Sequence, residues 1–235
     1  MPPLNCRVIG NNILQGGIRE LVLALTPEAP SFFPGQYLML DVGDAAFPFS
    51  IANAPNQKTL ALHIKPTPDS SDSDKIEHFL NSNPTSASIQ YPLGDCCLKD
   101  LPDHPLILIA ASTGITQMKS MLDWLIEKKF THPIHLYWGV LTPEELYLQH
   151  ELEAATAEHQ VNYTPVVSQE TDLWQGRTGL VSEAVTADIA QLNAFKIFVS
   201  GSPAMVYGTL DHFVGNGFQP EKMQSDVFSY APRPQ

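Results

Sequence analysis

The sequence predicts a two-domain β plus α/β chain: an antiparallel β-barrel first, then a domain with a parallel sheet. Three observations carry this. Residues 6–98 are a series of short β-rich runs, residues 99–105 form a charged connection bearing two prolines, and beyond it continuous apolar runs alternate with amphipathic stretches. With 235 residues there is room for two cores. The boundary is placed so that residues 1–102 form the barrel domain and residues 103–235 the α/β domain.

The barrel strands are expected at residues 7–13, 18–25, 36–42, 47–52, 60–65 and 86–91. One helix interrupts them at 74–81, where Ile76, Phe79 and Leu80 share a face at helical spacing. Residues 66–73 before it read as a polar loop. In the second half, strands are expected at 106–111, 134–140, 161–167 and 195–200, joined by helices in right-handed crossovers. After Thr116, the positions of Met118, Met121, Leu122, Leu125 and Ile126 make the core stripe of one helix. Thr142-Pro143-Glu144-Glu145 supplies an N-cap, a first-turn proline and a carboxylate for a capping box, so a helix is expected from there towards His159.

The bulk properties limit the function. Hydrophobic residues make up 43% and charged residues 16%, and no apolar run approaches the ~20 residues of a spanning helix. The first residues have neither the basic start nor the apolar stretch of a signal peptide, so a cytoplasmic protein is expected, without a membrane. A net charge of −12 disfavours nucleic acid as a partner, while a dinucleotide, with few phosphates, stays compatible. Cys6, Cys96 and Cys97 fit neither a disulfide framework nor a zinc or iron–sulfur pattern, so no metal is expected and electrons would travel on another carrier.

Two stretches point to chemistry. Phe47-Pro48-Phe49-Ser50 is an extended segment with a hydroxyl, suited to the edge of a flat aromatic cofactor. Ser112-Thr113-Gly114 is a strand-to-helix turn, whose free amide groups suit a phosphate. Each has a plain structural counterpart, an edge strand with an inward ring and an ordinary capped turn. Their order and spacing suggest a flavin meeting a nicotinamide nucleotide. Gly201-Ser202-Pro203-Ala204-Met205 repeats the turn after a later strand, with Ser202 as N-cap and Pro203 at the first helical position.

Pro34-Gly35-Gln36-Tyr37, Pro48-Phe49-Ser50, Ser112-Thr113-Gly114, Tyr137-Trp138-Gly139, Gly176-Arg177-Thr178-Gly179, Gly201–Met205 and the tail Asp226-Val227-Phe228-Ser229-Tyr230 fall in an order that resembles the NAD(P)H-flavin reductases, a branch of the ferredoxin-NADP reductase superfamily. The resemblance spans nearly the whole chain. It implies hydride transfer from NADH or NADPH to the N5 of a flavin (riboflavin, FMN or FAD), with Ser50 beside N5 and Thr113 facing the nicotinamide–flavin contact. It places Phe47, Pro48, Phe49 and the segment His63-Ile64-Lys65 along the flavin. It places Ser112, Gly114, Gly139, Arg177, Gly201, Ser202, Pro203 and Met205 on the nucleotide, and Phe228 and Tyr230 near the contact. That tail is expected as a final edge strand or as a gate over the site.

The chain departs from the family at three places. Phe47 stands where an arginine usually supports the flavin's ribityl or phosphate end, Leu141 where an arginine meets the adenine nucleotide, and Ser200 where a cysteine is common. A weakly held, diffusible flavin and ready use of NADH follow, with Arg177 as a candidate substitute cation. The reduced flavin would pass to a flavin-dependent acceptor enzyme or to oxygen. Two rivals stay open: a reductase subunit with a fixed flavin serving a protein acceptor, and a non-catalytic nucleotide-binding member.

Overall fold

A computed structural model describes residues 3–169 and 174–233. Six strands, β1 (Leu4–Ile13), β2 (Arg19–Ala24), β3 (Tyr37–Asp41), β4 (Ala46–Ser50), β5 (Thr59–Ile64) and β6 (Ser86–Leu93), form an antiparallel sheet in the order β4-β3-β6-β1-β2-β5. The two terminal strands come together where the Ala52 N–H donates to the Ala61 carbonyl (2.8 Å) and the Asn53 amide bonds the Ala61 N–H and the Thr59 carbonyl. This closes the sheet into a barrel around Leu21, Leu23, Leu38, Leu40, Leu60 and Leu62, all fully buried. Helix α1 (Ser71–Asn81) starts three residues before the sequence suggests, because Ser70 accepts the Ser73 N–H as its N-cap.

The second sheet is parallel throughout. It comprises β7 (Leu106–Ala111), β8 (Ile134–Val140), β9 (Val161–Val167), β10 (Arg177–Thr178), β11 (Lys196–Ser200) and β12 (Met223–Gln224), in the order β10-β9-β8-β7-β11-β12. Side chains alternate between its two faces. Leu106, Leu108 and Ala110 pack with α2 (Ile115–Glu127) and α3 (Gln149–Glu158), whereas Ile107 and Ile109 pack with α4 (Val181–Asp188) and α5 (Pro203–Gly215). Burial of both faces is why these strands read as unbroken apolar runs.

Two expected elements differ. The helix expected from Thr142 is broken into a 3-10 turn, Pro143–Glu145, and α3 from Gln149. Thr142 makes no side-chain cap, and Glu145 turns its carboxylate to the Leu141 N–H and to Lys65 instead. The C-terminal edge strand is the short helix α6 (Val227–Tyr230), with β12 already at that edge of the sheet. Asp226-Val227-Phe228-Ser229-Tyr230 suits either period, and a single helical turn buries Val227 while leaving Tyr230 exposed.

The last barrel strand ends at Leu93 and β7 begins at Leu106, yet Cys96 and Leu98 already pack in the α/β core. The two halves are tied by α2. The buried Gln117 amide donates to the Gly35 carbonyl (2.8 Å), the Cys96 carbonyl (3.0 Å) and Asp226 (2.8 Å), and the Ser120 hydroxyl donates to the Asn53 carbonyl (2.8 Å). The cysteines Cys6, Cys96 and Cys97 are free and buried.

Candidate active site

The barrel contributes its outer rim at β3, β4 and the end of β5. In the β3–β4 ladder, Tyr37 opposes Ser50 and Met39 opposes Pro48, while Leu38 opposes Phe49 and Leu40 opposes Phe47. Leu38 and Leu40 are core residues, so the pleat turns Tyr37, Met39, Pro48 and Ser50 outward, where they line a cleft of about 350 Å³. Phe49 packs on the barrel core and also borders this cleft. The Ser50 hydroxyl has no hydrogen-bond partner among the described residues, so the backbone does not consume it.

The α/β domain contributes two turns. Chain connections run to opposite sides of the sheet from β7 and β11, so the carboxyl ends of these neighbouring strands form a topological switch point, the usual ligand crevice of such sheets. Ser112-Thr113-Gly114 leaves β7 there and opens α2, and Gly201-Ser202 leaves β11 and opens α5. Ser112 adopts a left-handed backbone (φ 50°), and its carbonyl accepts the indole N–H of the buried Trp138 (2.8 Å). Gly114 lies against β11, where a Cβ would come within 2.3 Å of the Ser200 carbonyl oxygen. A Cβ on Gly201 would meet the Met205 sulfur at 3.0 Å and the Ala111 Cβ at 3.1 Å. Ser202 caps α5 by accepting the Met205 N–H (3.3 Å), with Pro203 at the first position.

The two contributions face each other across a central cleft of about 370 Å³, bordered by Pro48, Phe49, Ser50, His63, Ile64 and Lys65 on one side and by Ser112, Thr113, Gly114, Gly201 and Ser202 on the other. Tyr230 stands at the junction of this cleft with the first, 65% exposed. Beyond Lys65 and Ser112 an outer, mainly apolar cleft of about 280 Å³ follows, bordered by Gly139, Leu141, Glu145, Leu180 and Met205. The first and central spaces share Pro48, Phe49, Ser50 and Tyr230, and the central and outer spaces share Lys65 and Ser112, so the three adjoin as one trough.

The chain is similar to known proteins. A family model described as an oxidoreductase NAD-binding domain matches residues 108–211. A probable flavin reductase of Photobacterium leiognathi is 36% identical over 204 residues, covering 85% of this chain and 87% of its own. An NAD(P)H-flavin reductase of Vibrio harveyi is 33% identical over 217 residues, covering 88% and 92%. The chain belongs to the NAD(P)H-flavin reductase family. An Amycolatopsis cytochrome P450 reductase shares the fold at a TM-score of 0.85 and 24% identity, over 96% of this chain and 70% of its own.

The residues of this flavin reductase fit its cofactors. The rim of β4 and β5 offers a hydroxyl to a flat ring edge, the missing Cβ of Gly114 and Gly201 lets the two turns pack closely on Ser200, Ala111 and Met205, and the helix N-termini that these turns open suit a phosphate. Four sequence candidates lie elsewhere. Phe47 borders none of the three clefts, because the pleat sets it opposite core Leu40. Pro203 serves α5 and borders none of them. Arg177 is paired with Asp188, which also accepts the Tyr137 hydroxyl, and Phe228 packs against Tyr207 on the far core. None of these therefore reaches the trough.

His63 is buried. It is 7% exposed, its Nδ1 is 3.0 Å from the Tyr147 hydroxyl, and Tyr147 in turn meets Trp138 edge-on at 5.4 Å. Burial, reinforced by the Lys119 charge, lowers its pKa to about 4. The ring is neutral at neutral pH, so Glu20, 3.9 Å from Nε2, is a polar neighbour rather than an ion-pair partner.

The structure also adds Met39, Gln117 and Ser225, which no motif flagged, and they border the first cleft with Tyr37, Ser200 and Asp226 from the motif segments. Burial pushes the Asp226 carboxyl up, against the pull of its bonds from Gln117 and the Cys96 N–H. Burial and then the Asp226 charge push up the hydroxyls of Tyr37 and Tyr230. Proximity in space gathers this group; the motifs carry Tyr37, Ser200 and Asp226, and nothing in the sequence pattern marks Met39, Gln117 or Ser225.

Proposed function

We propose that this NAD(P)H-dependent flavin reductase works in the central cleft, with residues 1–102 holding the flavin and residues 103–235 holding the nicotinamide nucleotide. One observation carries the reading: Ser50 on the barrel rim and both helix-opening turns of the sheet's switch point border the same space. When bound, the nicotinamide supplies a hydride and the flavin ring accepts it.

The protein's part is to bind, orient and exclude water. Ser50 Oγ can donate or accept by rotation, so it can serve a ring nitrogen in either protonation state. The main chain of His63-Ile64-Lys65 flanks the same rim, and Ile64, buried in the barrel core, fixes its position. Thr113 sits in the turn opposite, its carbonyl tied to the Thr116 hydroxyl (2.8 Å) so that its side of the cleft stays rigid. The amides opening α2 and α5 present partial positive charge to phosphate. Tyr230 covers the junction of two clefts and limits the entry of water.

No arginine among the described residues borders the trough, and the flavin is accordingly read as a diffusible substrate, released reduced to an acceptor enzyme or to oxygen in the cytoplasm. No helix among the described residues is long and apolar enough to cross a membrane. NADH oxidation measured with riboflavin, FMN and FAD in turn, after an absorbance spectrum of the purified protein, tests the reading. Turnover with added flavin by colourless protein is expected. A yellow protein that ignores added flavin would point instead to a fixed flavin serving a protein acceptor.

A further inference from the structure

Lys65 is the one lysine or arginine, among the described residues, that borders the three clefts, and it is already engaged. It follows β5 at the point where the central and outer clefts join. Its ammonium lies 2.7 Å from Glu145 Oε1, while Glu145 Oε2 accepts the Leu141 N–H at 3.3 Å. The two side chains are 34% and 20% exposed, so the pair is wet and weak. It also joins the halves of the molecule, Lys65 coming from the barrel and Glu145 from the turn after β8.

A dinucleotide lying along the trough, with its nicotinamide beside Ser50, sends its adenosine into the apolar outer cleft between Leu141 and Leu180. Its diphosphate then falls at the junction that Lys65 occupies. A carboxylate and a diphosphate cannot both have this one ammonium as their main partner, and the diphosphate bears the greater charge. We propose that Lys65 is exchanged from Glu145 to the nucleotide diphosphate on binding, so that Glu145 is a built-in competitor that sets nucleotide affinity. Glu145 keeps its bond from the Leu141 N–H after the exchange, which limits the penalty of release. The assignment moves Lys65 from the flavin's edge to the nucleotide, and it rests on the nucleotide-binding reading above.

The test is calorimetric titration of the flavin-free full-length protein with ADP-ribose, which carries the diphosphate, and with adenosine, which does not. Glu145→Gln is expected to bind ADP-ribose about three- to tenfold tighter than wild type, the range that release from a partly exposed ion pair allows. Lys65→Met is expected to bind it about tenfold more weakly, with rescue to within about threefold by Lys65→Arg, as loss and return of a partly exposed charged contact require. Adenosine affinity should not move in any variant, and thermal unfolding identifies a variant that has lost its fold. ADP-ribose binding by Glu145→Gln equal to or weaker than wild type, or a parallel shift for adenosine, overturns the exchange alone. Failure of the wild type to bind ADP-ribose at all contradicts the nucleotide reading itself.

Discussion

Gly114→Ala should damage both the fold and the nucleotide site, because the added methyl has nowhere to go. Its Cβ would lie 2.3 Å from the Ser200 carbonyl oxygen, 2.7 Å from the carbonyl carbon and 3.1 Å from the Ser200 hydroxyl. Two of these atoms are backbone, held in the β7–β11 ladder where Ser200 opposes Ala110. The turn must therefore move away from the strand by most of an ångström, and overpacking of this kind costs about 1–3 kcal/mol. For a chain of this length the melting temperature should fall by roughly 2–12 °C. The displaced amides should also weaken ADP-ribose binding by about tenfold, the equivalent of ~1.4 kcal/mol. Gly208→Ala is the control: it lies inside α5 with no atom within 4 Å of the new methyl, and should stabilise by about 0.5–1 kcal/mol through helix propensity alone. Calorimetric melting and titration of both variants read the contrast. A Gly114→Ala protein with wild-type melting and binding would refute the close approach of turn and strand.

Ser50→Ala should slow flavin reduction about five- to 150-fold at unchanged melting temperature, the equivalent of one hydrogen bond of ~1–3 kcal/mol in a desolvated site, and stopped-flow reduction measures it. NADH should serve at least as well as NADPH, since Lys65 is assigned to the diphosphate common to both and Arg177 is paired with Asp188, and kcat/KM with one saturating flavin compares them; a hundredfold advantage for NADPH would contradict this. Stability should fall as pH drops from about 6.5 towards about 4: the folded His63 pKa is depressed by burial to about 4, so the unfolded chain takes up the proton first and gains up to roughly 3 kcal/mol across that window. His63→Gln should flatten that part of the melting-temperature profile.

Most of the fold was legible because one signal dominated each element. Runs such as Leu106–Ala111 are apolar at every position, since both faces of a central parallel strand are covered, and their bounds could be read directly. The tail at 226–230 was not, because five residues with two rings fit a strand or a single helical turn equally, and only the neighbouring β12 decides. Thr142-Pro143-Glu144-Glu145 has the local grammar of a helix start, yet Lys65 and the Leu141 N–H draw the Glu145 carboxylate elsewhere. Tertiary contact overrode local propensity there.

The site shows the same division. Ser50, Thr113, Gly114, Gly201 and Ser202 lie in motifs whose spacing survives in one chain, and the structure brings them to one cleft. Met39, Gln117 and Ser225 lie in no motif, come from three separate segments and meet only in space. Arg177 looked like a spare cation because its partner Asp188, eleven residues on, is brought to it only by the α4 fold. The burial of His63 has no local signal, because Tyr147 from the other half of the molecule covers it.

Direct hydride transfer within the cleft is tested most directly by anaerobic stopped-flow mixing of the protein and riboflavin with NADH or with NADH deuterated at the transferred position of C4, following loss of the oxidised flavin's visible absorbance. A protein-dependent bleaching that slows with the deuterated donor is the predicted result. Bleaching no faster than in the protein-free mixture would contradict the account.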